Sequence, residues 1–179
     1  MFFVSEVKTT APEQFCTPLQ EKLYRALEEL QLPFARVDTD EAITMADCVQ
    51  INARLQVEMV KTLFLCDRKQ TAFYLFITRG DKPFSSKNFS AALGVSRVSF
   101  APSEKMQAML GTKIGAATVL SALLDTENRV QIVFDREVLA QTWYGCSDGT
   151  TTSYLKLRTD DVLRVFLPHA HHAPRIAEV

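Results

Sequence analysis

The sequence predicts a mixed α/β domain: a mixed, largely antiparallel sheet with helices packed around it. Three observations carry this. Two apolar, β-prone runs, residues 60–66 and 72–78, are separated only by the polar segment Asp67-Arg68-Lys69-Gln70-Thr71, the pattern of a hairpin. Segments with helix caps and apolar residues at helical spacing fall before and after that hairpin. Strands and helices follow one another without the regular βαβ alternation of a doubly wound parallel sheet.

The elements follow in order. Thr17 is placed to cap a first helix, with Pro18 in its first turn and Gln20 completing a Thr-x-x-Gln capping box. Leu19, Leu23, Leu27 and Leu30 mark its buried face, Pro33 ends it, and residues 34–37 form a short strand. Residues 38–52 read two ways: Thr44 caps a short helix over 45–49, or the segment is a surface connection. After the hairpin, Gly80-Asp81-Lys82-Pro83 is a turn. A helix over 86–93 stops at Gly94, and 97–100 is a strand. Ser103 is read as the cap of a helix that runs to Leu110 and terminates at Gly111. Residues 130–134 are a strand, and 143–146 and 151–157 are two more joined by Ser147-Asp148-Gly149-Thr150. Thr159 is read as the cap of a last helix whose stripe is Val162, Leu163, Phe166 and Leu167, stopped by Pro168. No repeat, low-complexity stretch or linker divides the chain, so residues 1–179 are read as one domain with tails at 1–16 and 168–179.

Composition excludes several classes of function. Hydrophobic residues make up 47% and charged residues 23%, the balance of a globular protein. No stretch approaches about 18 uninterrupted apolar residues, and the N-terminus lacks a basic segment followed by an apolar one, so neither a membrane span nor a secretory signal is expected. Cys16, Cys48, Cys66 and Cys146 form no CxxC pair. They read as free thiols of a reducing, cytoplasmic compartment rather than a zinc ribbon or redox motif. The three histidines, His169, His171 and His172, all lie in the last eleven residues. A Ser-His-Asp or Cys-His nucleophile system, or a histidine metal site, would require that segment to fold back into a cleft. Charge is uneven: residues 1–60 carry 5 basic and 10 acidic side chains, residues 61–120 carry 9 and 3, and residues 121–179 carry 6 and 8. The basic middle is either a footprint for a polyanion or a fluctuation on a solvated surface.

Three segments could carry chemistry, each with a structural alternative. Lys61 opens an apolar strand, placed either to hold an anion or carbonyl or to snorkel at the strand end. Gly111-Thr112-Lys113-Ile114-Gly115-Ala116-Ala117-Thr118 is small enough for its backbone N–H groups to approach a ligand, or is a plain helix terminator and tight loop. Gly145-Cys146-Ser147-Asp148-Gly149-Thr150-Thr151-Thr152-Ser153 is rich in hydroxyls and either lines a polar pocket or makes a turn. Cys48 and Cys66 read as core thiols, and the terminal histidines as a solvated tail.

Taken together these segments resemble the freestanding editing proteins related to the insertion domain of bacterial prolyl-tRNA synthetase, within the YbaK-like superfamily of aminoacyl-tRNA deacylases and nearest the PrdX-like branch. The markers run from about Leu19 to His172. They are Pro33-Phe34-Ala35-Arg36-Val37-Asp38, Thr44-Met45-Ala46-Asp47-Cys48, Lys61-Thr62-Leu63-Phe64-Leu65-Cys66-Asp67, Gly80-Asp81-Lys82-Pro83-Phe84, Arg97-Val98-Ser99-Phe100-Ala101 and Gly145-Cys146. The resemblance implies a barrel-like sheet flanked by helices. It also implies hydrolysis of the ester joining a wrong amino acid to tRNA, typically alanine on the proline tRNA, with no metal or organic cofactor. The family lysine corresponds to Lys61. The family glycine loop corresponds to Ile114-Gly115-Ala116-Ala117-Thr118, with Ile114 where proline is frequent. The family His-Pro pair corresponds to Ser147-Asp148, and its later asparagine to Thr151. The resemblance thus assigns Lys61, Gly115, Ala116 and Ser147 to catalysis, and Thr44, Met45, Ile114, Ala117, Thr118, Thr151 and Thr152 to substrate binding. The family histidine is missing. Backbone N–H donors, a positioned water and the vicinal ribose hydroxyl remain as means of hydrolysing an already activated ester. Serine cannot supply the base strength of imidazole near neutral pH.

The leading expectation is therefore a trans-editing deacylase whose partner is the aminoacylated end of tRNA, with no DNA and no membrane partner. The alternatives are a non-catalytic relative that binds aminoacyl-tRNA or an amino acid for regulation, and a generic interaction domain. Oligomeric state is not legible in the sequence.

Overall fold

The computed structural model describes residues 1–179. Helix α1 (Pro18–Glu29) begins as its sequence dictates: the Thr17 hydroxyl accepts the Gln20 N–H at 3.0 Å. The reciprocal bond of the capping box is displaced by one residue, because Gln20 Oε1 accepts from the Cys16 N–H instead. Leu19, Leu23 and Leu27 are buried, each worth roughly 1.5–3 kcal/mol of burial. Leu30 is the half-buried C-cap, so the helix ends before Pro33.

Strand β1 (Ala35–Asp38) leads through a connecting loop into α2 (Cys48–Leu55). The hairpin is β2 (Val60–Asp67) and β3 (Phe73–Arg79), paired antiparallel. Then come α3 (Ser86–Leu93), β4 (Val98–Phe100), α4 (Ser103–Leu110) and a 3₁₀ turn (Val119–Leu123). Strand β5 (Val130–Asp135), the single-turn α5 (Arg136–Leu139), β6 (Trp143–Ser147) and β7 (Ser153–Arg158) follow. Gly94 and Gly111 cap α3 and α4 in the left-handed conformation, as their sequence positions indicate.

The last helix, α6, runs as Thr159–Asp161, a π turn over Val162–Phe166, and Leu167–His169. Three expectations fail at helix ends. Ser103 and Thr159 are first helical residues rather than caps; Pro102 and Arg158 precede them, and neither makes a side-chain cap bond. Pro168 lies inside α6. The Leu167 N–H reaches five residues back to the Val162 carbonyl, and the proline has no N–H to leave unpaired.

With β8 (Arg175–Ala177) as the last strand, the strands form two sheets, not a closed barrel: β1-β7-β6, all antiparallel, and β4-β2-β3-β5-β8. Strands β3, β5 and β8 are parallel neighbours, so the larger sheet is mixed. The main core lies between the sheets and is closed by α1 and α6; smaller clusters lie under α2 and under α3. The sheets touch where Met59 bridges Gly145. A Cβ on Gly145 would stand 2.8 Å from Met59 Cε and 2.9 Å from the Glu58 carbonyl, so this approach requires glycine.

The segments expected as tails are packed. Val4 and Lys8 bridge to Thr39 and Arg36, and β8 is an edge strand of the larger sheet. His172 is buried, with Nε2 2.9 Å from Asp125 and Nδ1 2.7 Å from the Ala170 carbonyl, so it anchors the terminal segment rather than floating in solvent. All four cysteines are free thiols. No helix is long and apolar enough to cross a membrane.

Candidate active site

Strand β4 covers β2 only over Leu65–Asp67 before the chain turns away at Ala101. The edge of β2 over residues 60–63 is left open, and a cavity of about 490 Å³ runs along it. Because the cavity meets the strand at its edge, residues from both faces of β2, Lys61 and Leu63 on one and Thr62 and Phe64 on the other, line it. Three other pieces complete it: the loop before α2, the loop after α4, and the end of β6 with Tyr154 of β7. The lining is mostly apolar, and Met45, Met59 and Met106 give it adaptable thioether surfaces.

The two loops are shaped by their own sequence. Asp47 accepts from the Thr44 and Ile43 N–H groups at 2.9 and 3.1 Å and from the Thr44 hydroxyl at 2.9 Å, and these bonds hold its carboxyl below the usual range. Thr44 thus organises the entry to α2, a turn later than the helix over 45–49 expected from sequence. In the other loop Gly115 has φ +88°, and a Cβ there would stand 3.0 Å from Ile43 Cγ2, so glycine serves both the turn and the contact between loops. Lys113 joins Glu41 at 2.9 Å and staples the loops together outside the cavity.

Of the residues expected in the site, Thr44, Met45, Lys61, Ile114, Gly115, Ala117 and Ser147 line this one cavity. The other four do not. Ala116 is fully buried behind the loop and its N–H donates to the Lys113 carbonyl, so it is not a free oxyanion donor. Thr118 is buried and caps the 3₁₀ turn through Leu120. Thr151 and Thr152 face a separate hollow beside Glu41 and Lys113, where the Thr151 hydroxyl donates to Glu41 at 3.1 Å.

Hydrogen bonding separates structural polar groups from available ones. The Ser147 hydroxyl donates to the Thr150 carbonyl and accepts from the Gly149 N–H at 3.0 Å, which closes its own turn. The Tyr154 hydroxyl donates to the Ala42 carbonyl at 2.8 Å, and burial raises its pKa further. The Cys48 thiol is pushed up to about 11 by burial and then by Asp47, so it is no thiolate near neutral pH. Of the lining residues, the Thr62 hydroxyl and the N–H groups of Gly115 and Ala117 have no partner inside the protein, and Lys61 is only partly engaged. Lys61 Nζ donates to the Lys82 carbonyl at 2.6 Å, which leaves two of its hydrogens. Lys82 is itself held by Asp135 at 2.8 Å, and Asp135 also accepts from Thr78, the cross-strand partner of Lys61. Burial would raise the Asp135 pKa, but the Lys82 and Thr78 bonds outweigh it and the carboxyl stays below its ordinary value. Sequence reasoning missed Thr62. Its only signal was its place beside Lys61, because the open strand edge that admits both residues is a tertiary feature.

An apolar cavity edged by a lysine, a glycine-loop N–H and a free hydroxyl, with no imidazole in its wall, suits the binding of a small acyl group. The aminoacyl-tRNA editing domain family matches residues 39–165, and the chain belongs to that family. It is similar to prolyl-tRNA synthetase associated domain-containing protein 1 of Danio rerio, 29% identical over 160 residues that cover 88% of this chain and 86% of the relative. It is also similar to the prolyl-tRNA editing protein ProX of Acetoanaerobium sticklandii, 24% identical over 139 residues, or 78% and 85% of the two chains. A crystal structure named "putative trans-editing enzyme for prolyl tRNA synthetase" shares the fold with a TM-score of 0.68 at 17% identity, over 92% of this chain and 98% of that one.

Proposed function

We propose that the chain is a trans-acting deacylase that hydrolyses the ester of a mischarged tRNA, with alanine on the proline tRNA as the first substrate to test. The observation that carries this reading is the assembly of Lys61, Thr62 and the Gly115 N–H around one apolar cavity, in a chain of the editing-domain family. The aminoacyl side chain occupies the apolar wall. The ester carbonyl oxygen lies toward the Gly115 N–H, and Thr62 and Lys61 orient the attacking water or the ribose. Water adds to the carbonyl carbon, the bond to the ribose oxygen breaks, and that oxygen takes up the proton. One well-placed oxyanion donor contributes about 10²–10³-fold, and orientation supplies more. Ser147 closes the cavity wall in this scheme and moves no proton.

A second reading, a relative that binds aminoacyl-tRNA without turnover, is favoured by a specific observation: the position corresponding to the family histidine is a serine whose hydroxyl is already engaged. A deacylation panel over several mischarged tRNAs decides between them. Release of the amino acid from one tRNA above the spontaneous rate supports the deacylase. Tight binding with no release from any of them supports the second reading.

A further inference from the structure

Strand β6 alternates. Tyr144 and Cys146 enter the main core, which leaves Trp143, Gly145 and Ser147 on the opposite face. Ser147 reaches the wall of the candidate active site, and Gly145 lets Met59 pack against the strand. At the far end of the same face stands Trp143, the sole tryptophan, 43% exposed. Lys156 Nζ lies 4.6 Å and Arg158 Cζ 5.4 Å from its ring centroid, and no carboxylate pairs with either cation. Trp143 borders a groove of about 910 Å³ that also takes in Asn52, Gln56 and Gln141. Arg79 in that groove pairs with Asp81 and Glu137, and Glu58 also lines it, so the unpaired positive charge stands at the rim, on Lys156 and Arg158 beside the tryptophan. Met59 and Val60 line both the groove and the cavity, so the start of β2 is the wall that the two share.

We propose that Trp143, with Lys156 and Arg158, is a stacking platform for the single-stranded 3′ end of tRNA, on the same face of β6 that reaches the cavity at Ser147. The inference rests on the deacylase reading and adds the place where the nucleotides before the ester lie. An exposed indole flanked by unpaired cations offers what a single strand requires: a π face for a base and positive charge for the phosphates. The structural alternative, a tryptophan held only by its own cation–π contacts, makes no use of the groove beside it.

The test uses the trinucleotide CCA, the sequence that ends tRNA, with the intact protein. Because Trp143 is the sole tryptophan, its emission reports directly, and saturable quenching by CCA is expected. Anisotropy of labelled CCA should show binding weakened about tenfold or more by Trp143→Ala. The double variant Lys156→Ala with Arg158→Ala should flatten the salt dependence. Unmoved emission on saturation, or equal CCA affinity in Trp143→Ala, overturns the platform. The two readings fail separately. Quenching by CCA without hydrolysis of any mischarged tRNA sinks the deacylase and keeps the platform, whereas hydrolysis with unmoved emission does the reverse.

Discussion

The open edge of β2 and the turn that Ser147 begins after β6 both carry polar groups beside the cavity, and they behave oppositely. In the turn every strong group has a partner inside the protein. Asp148 is fully buried and accepts from Gln20 and Tyr24 at 2.8 Å each, and from the Thr150 hydroxyl at 2.7 Å and its N–H at 3.2 Å. Ser147 is engaged on both its donor and acceptor sides. Along β2, the Thr62 hydroxyl has no partner in the protein, and Lys61 has one. A hydroxyl-rich turn is thus a structural clamp between α1 and β6, and the sparser strand edge holds the groups left for chemistry. Buried polar groups must be satisfied, so function collects where satisfaction is incomplete and solvent or substrate can enter.

The largest test of this contrast is Asp148→Ala. It leaves the Gln20, Tyr24 and Thr150 donors without their acceptor in a dry site and should cost about 4 kcal/mol, read as a lower urea midpoint. A loss under about 1 kcal/mol would mean that the clamp is not what holds the turn. Lys61→Ala should leave the urea midpoint nearly unmoved and reduce kcat/KM for deacylation about 10²-fold, equivalent to about 2.7 kcal/mol of transition-state stabilisation. Unchanged turnover would remove Lys61 from the site.

Thr62→Val keeps the shape and deletes the unpartnered hydroxyl. A loss of about tenfold in kcat is expected, with stability changed by less than about 1 kcal/mol. If stability falls while turnover holds, the hydroxyl belongs with the clamp after all. The smallest effect concerns acid. Asp135 has a depressed pKa in the folded state, so its contribution to stability is fully present above the unfolded value of about 3.9 and is lost as pH falls through the folded value. Asp135→Asn should therefore flatten the fall in stability below about pH 4, and at neutral pH cost on the order of 1 kcal/mol through its bond to Lys82. An unchanged acid limb would show that this pair does not tether the Lys82 carbonyl that holds Lys61.

Local chemistry wrote much of this fold into the sequence. Thr17 and Gln20 start α1, Gly94 and Gly111 end α3 and α4, and the polar break at 67–71 separates β2 from β3, because caps and turns depend on residues only a few positions apart. The sequence likewise marked Lys61, the Gly115 loop and Ser147, which converge on one cavity. Tertiary structure alone decided the rest. Whether Ser147 is a reactive group or a turn clasp depends on where the Thr150 carbonyl lies, and whether Thr62 is free depends on β4 leaving β2 at Leu65. The two sheets stay separate because backbone pairing between them narrows to the bridge of Met59 and Gly145, and the terminal segment packs because Asp125, 47 residues away in sequence, receives His172. A residue type fixes which bonds a side chain can make; only the distant chain brought beside it fixes which of them are already made.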